Sequence, residues 1–333
     1  ENYFFKLEPY RQWLIEYIKN NPDWIQPAKY ANEVLGMLKE PLEDLCISRP
    51  KSRVWLGVEL PFDKDYVTYI WFDALVNYIS TLNFGHNPDF ERIWANSNHL
   101  IAKDILKPHC IYWPIMLHAL GVNPVKHCFI HGYWIGEGGV KMSKSLGNGI
   151  DPLEVIDQYG ADALRFTLAT GSSAGNDTRY SDEKVKASRN FANKLWNAAR
   201  FILMNIDGEI EPGLPEKLEQ EDKWILSTFN STAKAATENL DNFDLNLAAQ
   251  KAYDFIWDEL CDRYIEIAKT RLNSDDKETK DNVRRVLVYV MNGALKLLHP
   301  FMPFITEEIY QALPNNDGSI MVSQWPKYTE ELN

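Results

Sequence analysis

Cysteine is scarce in this 333-residue chain: Cys46, Cys110, Cys128 and Cys261 stand far apart, with no Cys-x-x-Cys pair. That spacing supports neither a zinc knuckle nor a disulfide framework, so reduced thiols and no zinc site are expected. No run approaches the roughly 18 uninterrupted apolar residues of a membrane helix, and no charged-then-apolar leader precedes a small-residue cleavage site. We therefore expect a cytoplasmic setting and no membrane partner. Positive charge is also short, with 35 Lys and Arg against 47 Asp and Glu and a net charge of -12. Indiscriminate coating of nucleic acid needs many cation–phosphate contacts, so any RNA contact must be local.

What is present fits a globular chain of about two domains, with 45% hydrophobic and 25% charged residues. The first residue is Glu1, and the opening Glu1-Asn2-Tyr3-Phe4-Phe5 reads like the middle of a fold, so a piece of a longer chain is expected. Residues 1 to about 48 read as helical: Trp13, Leu14, Tyr17 and Ile18 share one face, and Tyr30, Val34, Leu35 and Leu38 another. Between about 66 and 170 short apolar runs alternate with helical ones. Strands are predicted at Val67 to Trp71, Leu100 to Ala102 and Cys128 to Ile130, with helices from Ala74 to about Leu82 and Ile105 to about Leu120. Such alternation argues for a doubly wound α/β unit with parallel strands. A helix start is marked at Asp151 by Pro152 and Glu154, and Gly160 ends that helix.

From about 181 the pattern is almost wholly helical, near 182–205, 221–240, 243–272 and 277–312. A Pro/Gly stretch from Gly208 to Pro215 separates the first helix from the rest. Without an internal repeat this half reads as a helix bundle.

The chemistry-bearing segment is His131-Gly132-Tyr133-Trp134, six further residues, then Lys141-Met142-Ser143-Lys144-Ser145-Leu146-Gly147-Asn148. It begins at a predicted strand end, where doubly wound sheets bind ligands. Two lysines three apart on a Gly-flanked loop can follow charge that builds on a departing pyrophosphate. An isolated Lys-x-x-Lys would ordinarily be a solvated turn; the full word in this setting argues otherwise.

Lys141 to Ser145 resembles the second signature of class I aminoacyl-tRNA synthetases, which activate an amino acid with ATP and transfer it to tRNA. The resemblance implies that Lys144 stabilises the transition state of adenylate formation and that Lys141 assists. It places Gly132, Asp104, Met142, Ser143 and Lys144 at the ATP site, with ATP entering together with Mg2+. Gly132 would lie against the adenine through its backbone, and Asp104 would accept a hydrogen bond from the ribose; helix capping is the plainer role for that aspartate. Ala102 stands where many members have Gly, and its methyl would crowd the ribose.

Over about 1–165 the chain resembles the methionyl-tRNA synthetase family. Four words carry this: Glu1 to Phe5, Asp44-Leu45-Cys46-Ile47-Ser48-Arg49, Tyr69-Ile70-Trp71-Phe72-Asp73-Ala74-Leu75 and Lys103-Asp104-Ile105-Leu106-Lys107-Pro108-His109. By that likeness Trp71, Ala74, Tyr78, Ile105 and His109 line a pocket for methionine, whose polarizable sulfur suits aromatic walls. Standing alone, Trp71, Tyr78 and His109 would read as ordinary core residues. Over about 165–326 the words Thr170 to Asp177, Arg189 to Arg200, Tyr253 to Asp262 and His299 to Glu308 resemble valyl-tRNA synthetases instead. The chain is then either a hybrid joined near residues 159–166 or a divergent member, and the hybrid is the expectation.

The implied fold is α/β plus all-α: the C-terminal part of a Rossmann-type catalytic domain over 1–170, then a helix-bundle anticodon-binding domain over 171–333. In the methionine family an Asn and an Arg four apart on the first long helix help read the anticodon. Here Asn197 and Arg200 are three apart, so with Lys194 they are kept as candidates for tRNA contact. Lys184, Lys186 and Arg189 could touch tRNA phosphates or simply form a solvated face.

The implied function is ATP-dependent attachment of methionine to its tRNA through an aminoacyl adenylate. Valine is the alternative amino acid, and a non-catalytic tRNA-binding module the alternative class. An enzyme that adenylates a small acid without tRNA would not need the long helical half. No word like the family's His-Ile-Gly-His signature, which grips the ATP phosphates, occurs in the sequence. The chain by itself is therefore expected to form no adenylate. Pyrophosphate exchange with ATP and methionine should stay at background; a robust rate would overturn this, and exchange with valine would sink the methionine assignment.

Overall fold

The computed structural model describes residues 1–136, 139–143, 146–171, 173–206, 208–316 and 318–332. The chain forms two compact units, residues 1–133 with 174–176, and residues 134–173 with 177–333.

The first unit is built on a three-stranded parallel sheet in the order Ile25–Gln26, His127–His131, Asn98–Ala102. Cys128, Phe129 and Ile130 of the middle strand are all buried, the continuous apolar pattern of a parallel strand covered on both faces. Leu14 and Ile18 from the helix Arg11–Asn20, and Tyr30 and Val34 from the helix Ala28–Met37, pack with Ile101, Cys128 and Ile130. A second cluster joins Leu75, Ile79, Phe90, Trp94, Trp113 and Leu117. Gly175 lies against this unit at φ +72, where a Cβ would stand 2.8–2.9 Å from Tyr30, Lys29 and Pro27. The Tyr30 hydroxyl and the Lys29 ammonium both donate to its carbonyl, at 2.7 and 2.8 Å.

Several predicted elements are redrawn. Residues 1–48 are not helical throughout. They hold two ten-residue helices, separated where Pro22 and Pro27 deny the chain helical N–H donors, plus the strand Ile25–Gln26 and an antiparallel pair, Phe4–Phe5 with Leu45–Cys46. The strand expected from Val67 to Trp71 runs Asp63–Thr68 and belongs to a separate antiparallel sheet with Ser48–Pro50 and Glu59–Leu60. Trp71 instead opens the helix Trp71–Ser80, entered through Ile70 at φ 47, a costly conformation for a β-branched residue. The helix expected from Ile105 is composite: a 3-10 turn Lys103–Ile105, a π-helical turn Pro108–Tyr112 and the α-helix Trp113–Ala119. Pro114 has no N–H to return to Cys110, and the Trp113 N–H reaches back five residues to the Pro108 carbonyl.

In the second unit the start at Asp151 is as expected. Its carboxylate accepts from the Leu153 N–H at 2.8 Å, and Gly160 at φ 90 closes the helix Pro152–Tyr159. The bundle follows with helices Asp182–Met204, Gln220–Asp241, Leu245–Asp254, Ile265–Leu272, Lys277–Leu298 and Pro303–Ala312, the third and fourth bridged by a π-helical run Phe255–Tyr264. The expected helix 277–312 is two helices, because Pro300 cannot continue the first and Pro303 opens the second. At Gly293 a Cβ would fall 2.2 Å from the Phe229 ring, so only glycine admits this approach between Gln220–Asp241 and Lys277–Leu298.

The bundle also buries a carboxylate. Asp222 is fully enclosed and accepts from the Glu219 N–H at 3.0 Å, the Tyr264 hydroxyl at 2.5 Å and the forked Arg271 guanidinium, one arm at 2.8 Å. Arg271 Nε lies 3.4 Å from Glu221 without hydrogen-bond alignment. Burial opposes the Arg271 charge, but the bonds to Asp222 overcome it and hold the guanidinium above its ordinary pKa. Asp222→Ala would leave Arg271 buried without its partner and should lower stability by about 3–5 kcal/mol. A urea midpoint close to that of the parent would contradict this.

Candidate functional site

Trp71, Ala74 and Tyr78 occupy positions i, i+3 and i+7 of the helix Trp71–Ser80 and so share a face. That face meets His109 on the π-helical turn. The Trp71 and His109 rings are 6.0 Å apart at 75°, and the Tyr78 hydroxyl lies 3.0 Å from His109 Nε2. His109 Nδ1 is 3.0 Å from the Ile105 carbonyl. A carbonyl can only accept, so His109 carries its proton on Nδ1, and Nε2 of the neutral ring accepts from Tyr78. Burial lowers the His109 pKa, partly offset by the Ile105 bond, and burial raises that of Tyr78. Trp71, Tyr78 and His109 are thus gathered into one cluster, which Ile105 joins through its backbone carbonyl.

Asp104 and Gly132 follow directly on the C-terminal ends of two neighbouring parallel strands, where Ala102 is paired with His131. Ligands of such sheets bind beyond these ends. Asp104 sits in the exposed turn Lys103–Ile105, and the Lys103 ammonium lies 4.6 Å from the centre of the Tyr133 ring.

Lys141, Met142 and Ser143 belong to the second unit. Lys141 bridges to Ile135, and Asn148 clasps the turn, accepting from the Ser143 N–H at 2.9 Å and donating to the Lys141 carbonyl at 3.2 Å. Gly147 takes φ 64 in this turn. Lys144 and Ser145 lie outside the described residues.

On the helix Asp182–Met204, Lys186, Arg189, Asn193, Trp196, Asn197 and Arg200 are exposed and recur at helical spacing, while Val185, Phe191, Leu195 and Ile202 face the core. Lys194 is engaged differently: its ammonium donates to Asp262 at 2.6 Å and lies 3.8 Å from the centre of the Trp257 ring. Among the described residues no group of three His, Cys, Asp or Glu is placed to hold a metal ion, and no helix is long and apolar enough to cross a membrane.

A family profile described as "tRNA synthetases class I (M)" matches residues 1–202. The chain belongs to the class I tRNA synthetases. Residues 222–333 match a second profile, the anticodon-binding domain of tRNA ligase. The valine--tRNA ligase of Clostridium perfringens is 39% identical over 370 aligned positions, covering 100% of this chain and 41% of that protein. That of Bacillus cereus is 40% identical over 337, covering 92% and 38%. Among solved structures, Mycobacterium tuberculosis methionyl-tRNA synthetase bound by methionyl-adenylate matches at TM-score 0.81 and 31% identity, covering 92% of this chain and 62% of that one. Its apo form matches at 0.78 and 27%, covering 98% and 69%. The chain spans about two fifths of the length of these valine relatives. The valine relatives align along the whole chain and not only beyond residue 165, while the methionine-type profile runs on to residue 202.

Sequence reasoning missed one member of this synthetase's aromatic cluster. His99 is buried on the strand Asn98–Ala102, its ring 4.2 Å from Tyr78 and 5.8 Å from His109. The signal was alternation: His99 and Ile101 face inward, Asn98 and Leu100 outward. The Trp113 indole N–H donates to His99 Nε2 at 3.1 Å, so that nitrogen carries no proton. Burial, then the neighbouring His109, pushes His99 down to about 4 from an ordinary 6.5. The unfolded chain therefore binds more protons between these values, and stability should fall as pH is lowered from 6.5 towards 4, by about 3 kcal/mol in all. His99→Gln keeps an acceptor for Trp113 and should flatten that dependence in denaturant titrations; an unchanged slope would refute it.

Proposed function

We propose that this chain is the portion of a methionine-activating class I synthetase that holds the amino-acid pocket, the adenosine side of the ATP site and the anticodon-binding helices. The whole enzyme attaches methionine to its tRNA through an aminoacyl adenylate. The observation that carries the reading is the Trp71–Tyr78–Ile105–His109 cluster placed next to the strand ends that lead to Asp104 and Gly132. The likeness to a synthetase bound by methionyl-adenylate supports it. Residues 1–170 would form the catalytic part and 171–333 the anticodon-binding part.

In this reading Trp71, Ala74, Tyr78, Ile105 and His109 surround the thioether. Both imidazoles near it are neutral, so the wall is polarizable and without full charge, which suits sulfur over a charged or strongly hydrated side chain. Gly132 offers backbone to the adenine and Asp104 accepts from the ribose. Met142 and Ser143 help to shape the phosphate end, where Lys141 and Lys144 neutralise charge growing on pyrophosphate as the amino-acid carboxylate displaces it. Mg2+ would arrive on the ATP phosphates, and no protein ligand for it is proposed. Asn197 and Arg200 face tRNA from the exposed stripe of Asp182–Met204, and Lys194 would join them by exchanging Asp262 for a phosphate.

A second reading, valine, is favoured by the curated relatives, which are valine ligases along the full chain. Tryptophan fluorescence distinguishes the two. Methionine should bind saturably, and His109→Ala or Tyr78→Ala should weaken it about tenfold, a loss near 1.4 kcal/mol. Saturation by valine alone would transfer the assignment to valine. Binding of neither, with tRNA binding retained, would favour the non-catalytic module.

A further inference from the structure

Two of the four thiols meet inside the first unit. Cys110 and Cys128 are both fully buried, and the Cys110 S–H donates to Cys128 Sγ at 3.5 Å. Cys46 instead accepts from the Arg49 guanidinium at 3.0 Å, and Cys261 lies in the second unit.

The pair is tied to both imidazoles of the aromatic cluster. Cys110 follows His109 directly in the π-helical turn Pro108–Tyr112, and Cys128 is the register partner of His99 on the neighbouring strand. These two anchorages differ in stiffness. Cys128 lies in the middle strand, paired with Ile25 on one side and His99 on the other, and its N–H donates to the Trp24 carbonyl. Cys110 lies where Pro114 denies its carbonyl the α-helical partner four residues on. A disulfide requires the sulfurs to close to about 2.05 Å. The side that gives is therefore the turn, and the turn carries His109, whose Nε2 accepts from Tyr78 at 3.0 Å.

The bond to Cys128, and then burial, raise the Cys110 thiol well above its ordinary range. Cys110 thus keeps its proton, and attack on an oxidant falls to Cys128. Neither sulfur reaches the surface, which keeps out bulky disulfides such as glutathione disulfide and leaves a small hydroperoxide, admitted by local opening. We propose that the Cys110–Cys128 pair is a peroxide-responsive switch that closes into a disulfide and draws His109 away from Tyr78. The Cys128 sulfur attacks one peroxide oxygen, the O–O bond breaks, and the departing hydroxide takes the thiol proton as water. The Cys110 sulfur then attacks the sulfenic sulfur of Cys128, the S–O bond breaks, and the second thiol proton leaves with that oxygen as water. Two thiols are oxidised and one peroxide is reduced to two waters. The bond and the movement do not depend on the amino-acid assignment; only their effect on methionine binding rests on that reading.

The test treats the full chain carrying Cys46→Ser and Cys261→Ser with hydrogen peroxide, so that this pair supplies the only thiols. Peptide mapping should recover the peptides holding Cys110 and Cys128 cross-linked, two hydrogens lighter than their sum, and dithiothreitol should separate them. With nitrogen-labelled histidine, the ring signals of His109 should move on oxidation and return on reduction, and adding Cys110→Ala should abolish both changes. Methionine binding should weaken about tenfold in the oxidised form and recover with dithiothreitol. Thiols that stay reduced in millimolar peroxide, or sulfinic acid without a cross-link, would overturn the proposal. So would a cross-link that leaves the His109 signals in place. Equal methionine binding by both forms would overturn the effect on the pocket. A reduced chain that binds no methionine, with the cross-link and the His109 shift intact, would overturn the amino-acid reading and leave the switch standing.

Discussion

An indole nitrogen has a proton to give and no lone pair to offer, and that one-way bond from Trp113 sets the state of the residues packed around it. His99 must accept, so it must be neutral. His109, a ring away, is held in the matching tautomer by donating its Nδ1 proton to a backbone carbonyl, and its Nε2 accepts a hydrogen bond from the Tyr78 hydroxyl. A charge on either imidazole would have to be desolvated, a cost that the Ile105 carbonyl offsets only in part at His109, and would turn an acceptor towards a donor. The uncharged wall that Trp71 and Tyr78 complete is therefore a product of hydrogen-bond direction as much as of hydrophobic residues.

Much of this was legible from residue order where chemistry acts locally. The Asp151-Pro152 start and the Gly160 stop were readable because a cap needs only its own neighbours. The parallel strands at Leu100 and Cys128 stood out by their apolar runs, although each extends further than the run itself. The helix start at Trp71 did not stand out, because an aromatic, β-branched word reads as strand and only tertiary packing draws Ile70 into positive φ. The division of the π-helical segment was equally hidden; it follows from prolines six residues apart, Pro108 and Pro114. His99 escaped notice since a lone histidine on a strand carries no word around it, and its meaning comes from Trp113, fourteen residues on. Lys194 looked like a free cation on a basic stripe, yet its partner Asp262 lies on a helical segment 68 residues later.

The two kinds of relative point to different amino acids for an understandable reason. Identity along the whole chain weighs every position equally, the bundle included. Side-chain selection depends on a handful of positions at one end of a sheet. The methionine reading rests on those few, and the valine likeness on the many.

The helical unit also carries a constraint of a different kind. At Gly293 the smallest possible change, one added methyl, would run into the ring of Phe229. Position 293 cannot grow alone: a larger residue there becomes tolerable only after 229 has shrunk, and shrinking 229 first leaves a hole that costs stability but no clash. The pair thus acts as a ratchet on this chain's history, with Phe229 the residue that must yield first.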